Sequence, residues 1–380
     1  MSIEECLAIH EQKTSNPHGE QQIDIIHLLE LMVEREASDL HLRAGSPPII
    51  RLDGALVPVE DMPPLAPEAT RKAFERISTE AQRAILYLER ELDFSYSIDE
   101  QTRFRVNAFF QRGTVGMAIR WVPCRIPAID ELGIPQVCKT LAIKPRGLVL
   151  VTGPSGSGKS TTMAAMINYI NKHQTRNVIT IEDPIEFLHH SEKSIIGQRE
   201  LGDDTISFAV ALRQALRQDT DVIMVGEMRD LDTIAATLTA AETGRLVLST
   251  LHTPDAPQTI ERIVNTFPPS HQQQARLQLS MVLEAVISQT LLPRADGQGR
   301  VVACEVMMAT DAIRNLIRES KTYQTYTYLQ TGQNHGMQSI EQALRQLVAS
   351  GKITEEEASK RINRPGELNP SLNSRLGRSL

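Results

Sequence analysis

The stretch GLVLVTGPSGSGKSTTM, residues 147–163, constrains the fold of this chain more than any other. Its apolar run at 148–151 predicts a buried parallel strand, and residues 161–170 predict a helix. The glycine-rich turn between them directs successive backbone N–H groups towards one point, an arrangement that binds phosphate oxygens. Lys159 would then bring a positive charge to the β- and γ-phosphates, and Ser160 would bind Mg²⁺. The sequence therefore predicts a nucleotide-binding loop between a strand and a helix.

Strands and helices continue to alternate after this loop. The predicted segments are strands at 177–181, 222–225 and 246–250 and helices at 161–171, 208–217 and 230–242. Such alternation predicts an α/β fold, with a parallel sheet covered by helices on both faces. The ligand of such a sheet lies at the carboxyl ends of its strands. Further helices are predicted at 270–292 and 310–320, and a helical pair broken at Gly351 is predicted at 338–363.

Acidic residues stand where two of these strands end. Glu182, Asp183 and Glu186 follow the strand at 177–181, and Glu227 follows the strand at 222–225. A nucleotide hydrolase needs one carboxylate to help hold Mg²⁺ and another to orient the attacking water. Carboxylates at the carboxyl ends of strands beside the phosphate loop can reach both the metal and the water. His252 ends the third strand, where an imidazole could hydrogen-bond a phosphate or a carboxylate.

Residues 21–122 predict a smaller α+β domain. A helix at 67–91 is followed by a meander of three strands, predicted at 92–98, 102–112 and 114–122. Arginines recur on this meander, namely Arg103, Arg105, Arg112 and Arg120. A solvated sheet edge explains them, and so does contact with the phosphate of a neighbouring molecule. Both interpretations remain open at this point.

The remaining segments are connections and ends. Residues 123–146 contain four prolines and predict a semi-rigid linker that permits domain motion. A flexible N-terminus is expected at 1–20 and a disordered tail at 364–380. The second domain is expected to span 147–363.

The length and net charge of the chain limit the functional classes to which it can belong. A chain of 380 residues predicts two or three domains with a full-sized core. The formal net charge of -7 argues against a chain held broadly on nucleic acid. Neither a membrane-spanning segment nor a signal peptide is evident, so we expect a cytoplasmic protein. The four cysteines lack metal-ligand spacing and are expected to be buried or incidental thiols.

Four segments of the chain, in order, resemble the Walker A, Asp box, Walker B and His box motifs of the type II/type IV secretion ATPases. They are GPSGSGKST, ITIEDPIEF, DTDVIMVGEMRD and TGRLVLSTLHT. Residues 312–319, AIRNLIRE, resemble the helix motif of the branch that retracts type IV pili in twitching motility. The resemblance covers about residues 20–365 and includes SDLHL, PPIIRLDG and RFRVNAFFQRG.

This resemblance implies a PAS-like N-terminal domain and a RecA-like P-loop core with a helical C-terminal region. It implies a homohexameric ring that binds ATP with Mg²⁺ between subunits and hydrolyses it to retract the pilus. The implied partner is a pilus platform protein of the inner membrane, with no nucleic acid and no transmembrane segment. The motor would work at the inner face of the cytoplasmic membrane.

The family motifs also imply roles for particular residues. The phosphate-binding residues would be Gly153, Pro154, Ser155, Gly156, Ser157, Gly158, Lys159, Ser160 and Thr161. Glu227 would act as the general base and, with Ser160 and Glu182, would serve the metal. Glu186 would help position the water, and His252 would sense the nucleotide. In this family, arginines of the N-terminal domain contribute to the active site. Arg105, Arg112 and Arg120 resemble these arginines.

Two positions depart from the family pattern. Arg245 stands where the His box has its first histidine, and Thr220 stands where Walker B usually has proline. Neither departure removes a phosphate or metal ligand. Both departures concern nucleotide sensing rather than ATP hydrolysis.

Four alternative functions compete with a retraction motor. A pilus-extension or type II secretion ATPase would carry a tetracysteine zinc insertion, but the stretch 291–304 holds a single cysteine, Cys304. A RecA-like nucleic-acid translocase would need basic loops facing its pore, and the acidic balance and the 4% aromatic content count against it. A scaffold that binds nucleotide without hydrolysis is disfavoured by Lys159 and Glu227. An accessory motor of the same branch stays open.

Overall fold

The computed structural model describes residues 23–52, 54–99, 102–122 and 125–361. The described residues up to 122 form one compact unit, and those from 125 onward form a second. The expected flexible N-terminus at 1–20 and the expected tail at 364–380 lie outside the described residues.

The first unit is built on an antiparallel sheet of six described strands in the order β3-β2-β1-β6-β5-β4. The strands are β1 Asp39–Leu42, β2 Ile49–Leu52, β3 Ala55–Pro58, β4 Glu91–Ser97, β5 Arg103–Gln111 and β6 Thr114–Val122. The helices are α1 Ile25–Glu34, α2 Pro67–Ile77 and α3 Glu80–Glu89. Along β5, Phe104, Val106 and Ala108 are buried at every second position. This alternation leaves the arginines of β5 on the opposite face.

The helix predicted at 67–91 is instead two helices, α2 and α3. Ser78 has extended backbone after α2, and its hydroxyl donates to the carbonyl of Phe74 at 2.7 Å. Thr79 then caps α3, since its Oγ1 accepts from the N–H of Gln82 while the Gln82 side chain accepts from the N–H of Thr79. Ser and Thr side chains bond the backbone locally, which ends one helix and starts the next.

The second unit is built on a sheet of seven described strands in the order β13-β12-β7-β11-β10-β8-β9. The strands are β7 Gly147–Thr152, β8 Asn177–Glu182, β9 Ile195–Glu200, β10 Val222–Val225, β11 Leu246–Leu251, β12 Leu283–Pro293 and β13 Arg300–Met308. All neighbouring pairs are parallel except β12 and β13. The parallel sheet expected from the sequence is therefore present, with an antiparallel strand at one edge.

Helices cover both faces of this sheet. The helices of the second unit are α4 Ile129–Leu132, α5 Val137–Ala142, α6 Lys159–His173, α7 Phe208–Ala215, α8 Leu231–Glu242, α9 Ala256–Asn265, α10 Gln272–Val282, α11 Asp311–Arg318, α12 Thr325–Thr331, α13 Ile340–Ala349 and α14 Glu355–Ser359. Leu148 and Leu150 of β7 pack with α7 to α11, whereas Val149 and Val151 pack with α4 to α6. Among the described residues, no helix is both long and apolar enough to cross a membrane.

Two predicted segments differ from the structure. The helix predicted at 270–292 ends at Val282, and the chain continues as β12 between β7 and β13. The run from 282 to 292 is mostly apolar and includes β-branched residues, which fit a buried strand. Periodicity alone does not separate such a run from a buried helix. β9 and β13 were not predicted.

The segment predicted as a linker, 123–146, is largely folded where it is described. It contains α4 and α5, whose residues Ile129, Cys138 and Leu141 are buried in the same cluster as α6. Pro135 lies just before α5 and therefore does not break it. Residues 125–146 thus belong to the second compact unit, although the sequence places the boundary at 146.

Candidate nucleotide site

The phosphate loop occupies residues 153–158, between β7 and α6. Its backbone is left-handed at Gly153 (φ 139°), Gly156 (φ 74°) and Gly158 (φ 88°). A Cβ at Gly153 would lie 2.3 Å from the carbonyl oxygen of Gln289, so a larger residue does not fit there. Glycines let successive N–H groups converge and let an anion approach closely. The loop therefore has the backbone that phosphate binding requires.

Lys159 is the first residue of α6, and its side chain lies within the loop. Its Nζ donates to the carbonyl oxygens of Gly153 at 2.9 Å and Pro154 at 3.0 Å. Burial lowers the pKa of Lys159, while the charges of Glu227 and Glu186 act to raise it. These two carboxylates, predicted as catalytic, thus lie near enough to act on the amine predicted to bind phosphate.

The neighbouring strand β12 supports the loop from behind. Thr152 Oγ1 donates to Ser288 Oγ at 3.0 Å, and Gln289 Nε2 donates to Thr162 Oγ1 at 2.8 Å. The buried Ser157 hydroxyl has no hydrogen-bond partner among the described residues. An unpaired buried hydroxyl is costly unless a ligand meets it. Together with the left-handed backbone of the loop glycines, it fits a bound phosphate chain.

Glu227 lies on the loop after β10, at the same edge of the sheet as the phosphate loop. Its Oε1 forms an ion pair with the guanidinium of Arg229, and its Oε2 lies 3.4 Å from His252 Nε2. The Glu227 side chain is 14% exposed. A cavity of about 330 Å³ opens here, lined by Glu227, Arg229, Thr250, His252, Thr253 and Arg262 among others. The structure thus brings together Glu227 and His252, which were predicted from separate motifs.

Glu182, the last residue of β8, and Glu186, on the loop that follows, occupy different environments. Glu182 is buried, and its Oε1 accepts hydrogen bonds from Thr180 Oγ1 at 2.7 Å and Gln198 Nε2 at 3.1 Å. Its Oε2 accepts from the backbone N–H of Glu186 at 3.4 Å. Burial raises the pKa of Glu182, and the hydrogen bonds oppose this. Glu186 itself is exposed, so it has the freer carboxylate of the two.

The predicted arginines of the first unit divide into a pair and a separate residue. Arg105 and Arg120 lie directly opposite each other on β5 and β6. Arg105 Nε lies 3.8 Å from Asp93 Oδ1, and Arg120 Nε lies 2.8 Å from Asp39 Oδ1. Arg112 occupies the turn between the two strands, at the other end of the hairpin. The three arginines therefore do not form one cluster.

Both departures from the family motifs have local explanations. Thr220 is buried, and its hydroxyl donates to the carbonyl of Ala215 at the end of α7, 2.8 Å away. Arg245 precedes β11, whose first residue pairs with Gly147 at the edge opposite the phosphate loop. Its guanidinium donates to the carbonyl of Thr243 at 2.8 Å. Arg245 therefore does not reach the candidate site.

The motif analysis missed two cations beside Glu227. Arg229 follows Glu227 by two residues, and its Nη1 lies 3.6 Å from Asp183 Oδ2. Its position two residues after the Walker B glutamate was a signal in the sequence. Arg262 comes from α9 and lines the same cavity. It lies in no motif, so only the folded chain reveals it.

Comparison with known proteins places these features in one family. A family model described as Type II/IV secretion system protein matches residues 22–360. The type IV pilus retraction ATPase PilT of Pseudomonas aeruginosa is 48% identical over 343 residues, which cover 90% of this chain and 99% of the relative. A twitching motility protein of Neisseria gonorrhoeae is 49% identical over 314 residues, covering 83% of this chain and 84% of the relative.

Solved structures agree with the sequence comparison. The crystal structure of the pilus retraction motor PilT with bound ADP superposes with a TM-score of 0.85 at 48% identity, covering 91% of this chain and 99% of the other. The ATPase DotB of Legionella pneumophila superposes with a TM-score of 0.80 at 25% identity, covering 90% and 97%. These findings confirm the fold class and the ATPase activity expected from the sequence. The chain belongs to the Type II/IV secretion system protein family.

Proposed function

We propose that this chain is a hexameric ATPase motor that retracts type IV pili and so drives twitching motility. The observation that carries this proposal is the 48% identity to the Pseudomonas retraction ATPase across 99% of its length. The AIRNLIRE segment at 312–319, typical of the retraction branch, points the same way. The chain would act in the cytoplasm, where ATP is supplied, at the inner face of the membrane. A platform protein of the pilus machinery would be its partner.

The phosphate loop would hold the β- and γ-phosphates of ATP. Its N–H groups converge because Gly153, Gly156 and Gly158 adopt left-handed backbone, and the N-terminus of α6 adds a positive dipole. Lys159 would turn its amine from the carbonyls of Gly153 and Pro154 to the phosphate oxygens. Ser155, Ser157 and Thr161 would complete the cradle.

Glu227 would act as the general base that takes the proton from the attacking water. It stands at the carboxyl edge of the sheet, beside the phosphate loop, in a cavity of about 330 Å³. Arg229 holds one carboxylate oxygen, and His252 lies beside the other. His252 would report the state of the nucleotide by exchanging its contact with Glu227 for one with phosphate.

Mg²⁺ would accompany ATP and neutralise the charge that develops on the phosphate oxygens. Ser160 at the start of α6 and Glu227 would hold it. Glu182 was predicted as a third ligand, but its oxygens accept three hydrogen bonds, so we propose that it mainly fixes the loop that carries Glu186. Glu186 is exposed and near Lys159, and it would help orient the water.

ATP would be bound between one subunit's core and the first unit of its neighbour. The neighbour's Arg105 and Arg120 lie side by side, so they would approach the phosphates together, and Arg112 would approach from its separate turn. A positive group of this kind accelerates phosphoryl transfer by roughly 10³–10⁵-fold. Contacts that depend on the γ-phosphate would draw the subunits together, and hydrolysis would release them.

Complementation of a strain that lacks its own retraction ATPase tests this function. We expect the wild-type chain to restore twitching. Glu227→Gln keeps the size of the side chain and removes the base, so ATP hydrolysis should fall by roughly 10²–10⁴-fold and twitching should be lost. Glu356→Gln, at an exposed residue of α14, is the matched control and should restore twitching fully.

Two outcomes would contradict the proposal. One is a Glu227→Gln variant that hydrolyses ATP at the wild-type rate. The other is a wild-type chain that hydrolyses ATP but leaves piliated cells unable to retract, which would favour an extension, secretion or accessory motor.

A further inference from the structure

The second unit contains a larger cavity that the nucleotide site does not use. Its volume is about 550 Å³. Its polar lining comes from the start of α9, from β12 and β13, from α12, from the start of α13 and from the segment after α14, namely Asp255, Gln258, Ser288, Thr290, Glu305, Tyr326, Glu341 and Arg361. Pro154 of the phosphate loop is one of its walls, but the cavity of Glu227 and His252 shares no lining residue with it. The two cavities are therefore distinct.

Glu341 is the most unusual residue of this lining. Its relative exposure is 5%, and its buried Oε2 has no hydrogen-bond partner among the described residues. A buried carboxylate oxygen without a partner costs considerable free energy, more than a neutral group would. Such a position is explained if the oxygen receives its partner from a bound ligand.

A second buried carboxylate faces the same cavity. Glu305 is 5% exposed, and its Oε1 accepts a hydrogen bond from the backbone N–H of Ala256 at 3.0 Å. Burial, together with the charges of Asp255 and Glu341, raises the pKa of Glu305 to about 7. Three carboxylates act on one another here, while the lining offers a single cation, Arg361, so their charge is only partly compensated. The lining therefore favours a cationic ligand.

The size and walls of the cavity narrow the type of cation. The described residues offer no cluster of three or more His, Cys, Asp or Glu side chains arranged to hold a metal ion. A volume of about 550 Å³ lies in the range of small-molecule pockets. The remaining walls are largely apolar and include Pro254, Pro257, Leu329, Ile340 and Leu344. Apolar walls suit methylene groups, while separated carboxylates suit more than one ammonium group.

We propose that this cavity binds a linear aliphatic di- or polyamine, whose ammonium groups pair with Glu341 and Glu305 and whose methylene chain packs on the apolar walls. The hydroxyls of Ser288 and Thr290 accept further N–H donors. The two glutamates that carry the proposal, Glu341 and Glu305, are not assigned to catalysis, although Pro154 and Ser288 link the cavity wall to the phosphate loop.

Isothermal titration calorimetry of the purified full-length chain without nucleotide tests the site, with spermidine and 1,6-diaminohexane as probes. We expect saturable binding of one amine per subunit. 1,6-Hexanediol, which has the same chain length without the charges, should not bind, and Mg²⁺ should not compete at equal concentration. Glu341→Gln keeps the shape of the side chain and should weaken amine binding at least tenfold.

Glu355→Gln is the matched control, because Glu355 is exposed in the first turn of α14 and does not line the cavity. It should bind amine as the wild type does. An equal loss in both variants would show attraction to the overall negative charge and would overturn the site. Absence of amine binding to the wild type, or equal binding of the diol, would overturn it too. If Glu341→Gln does not fold, Glu305→Gln carries the same comparison.

Discussion

At the scale of single residues, the site depends on side chains whose surroundings differ sharply although their chemistry is the same. Glu182 ends β8, and Glu186 and Glu227 follow strands at the same edge of the sheet. Glu182 is buried and saturated with hydrogen bonds, Glu186 is exposed, and Glu227 is held between Arg229 and His252. These surroundings, rather than residue type, suit Glu227 to act as base and Glu182 to support the loop.

Glu305 makes stability depend on pH. Its pKa is raised from 4.5 to about 7, first by burial. Between these values the folded state retains a proton that the unfolded chain has lost, so stability falls as the pH rises through this window and is constant above it. A shift of this size corresponds to a loss of roughly 3 kcal/mol. Glu305→Gln removes the titration and leaves an acceptor for the Ala256 N–H.

We therefore expect Glu305→Gln to match the wild type near pH 4.5 and to be roughly 2–3 kcal/mol more stable at pH 8. Urea unfolding followed by far-ultraviolet circular dichroism in amine-free buffer measures this difference. The chain's one tryptophan, Trp121, lies in the first unit, so its fluorescence would not report on β13. A difference in stability between Glu305→Gln and the wild type that is the same at both pH values would contradict the raised pKa of Glu305.

At the scale of elements, α11 shows how a motif of the family is used for folding. Arg314 Nη1 donates to the carbonyls of Ser280 at 2.7 Å and Met281 at 2.9 Å, at the end of α10. Its Nη2 lies 3.0 Å from Glu284 Oε1. A cation that satisfies the last carbonyls of a helix stabilises it. Arg314 thus fastens α11 to α10, while Arg318 on the same helix is exposed.

Arg314→Ala should lower the free energy of unfolding by about 2 kcal/mol, because it removes charge-assisted hydrogen bonds and leaves helix carbonyls without donors. Arg318→Ala is the control and should change it by less than about 0.5 kcal/mol. Chemical denaturation of the second unit, followed by circular dichroism, measures both. Equal effects of the two substitutions would mean that Arg314 does not fasten the helices.

The sequence predicted the elements around the phosphate loop well, because strand, glycine turn and helix follow one another with strong local signals. Val222–Val225 forms the strand at the predicted residues, and α6 extends the predicted helix by only a few residues. The sequence did not predict β12, since its apolar run also suits a buried helix. It also missed Arg262, because α9 and the loop after β10 line one cavity only in the folded chain.

At the scale of the whole molecule, the central claim is that the active site is completed by a second subunit. Glu227, His252 and the phosphate loop lie in one compact unit, whereas Arg105 and Arg120 lie in the other. Both arginines are exposed at the sheet surface, although each lies beside an aspartate. In a ring, the arginines of one subunit would serve the phosphates of the next. Hydrolysis would then require assembly.

The measurement that tests this claim most directly is the rate of ATP hydrolysis per subunit as protein concentration is raised, with particle size determined in parallel and DNA added to one series. The account predicts that the rate per subunit climbs as rings form and does not respond to DNA. A constant rate in a protein that stays monomeric, or strong stimulation by DNA, would contradict the shared active site and favour a nucleic-acid translocase.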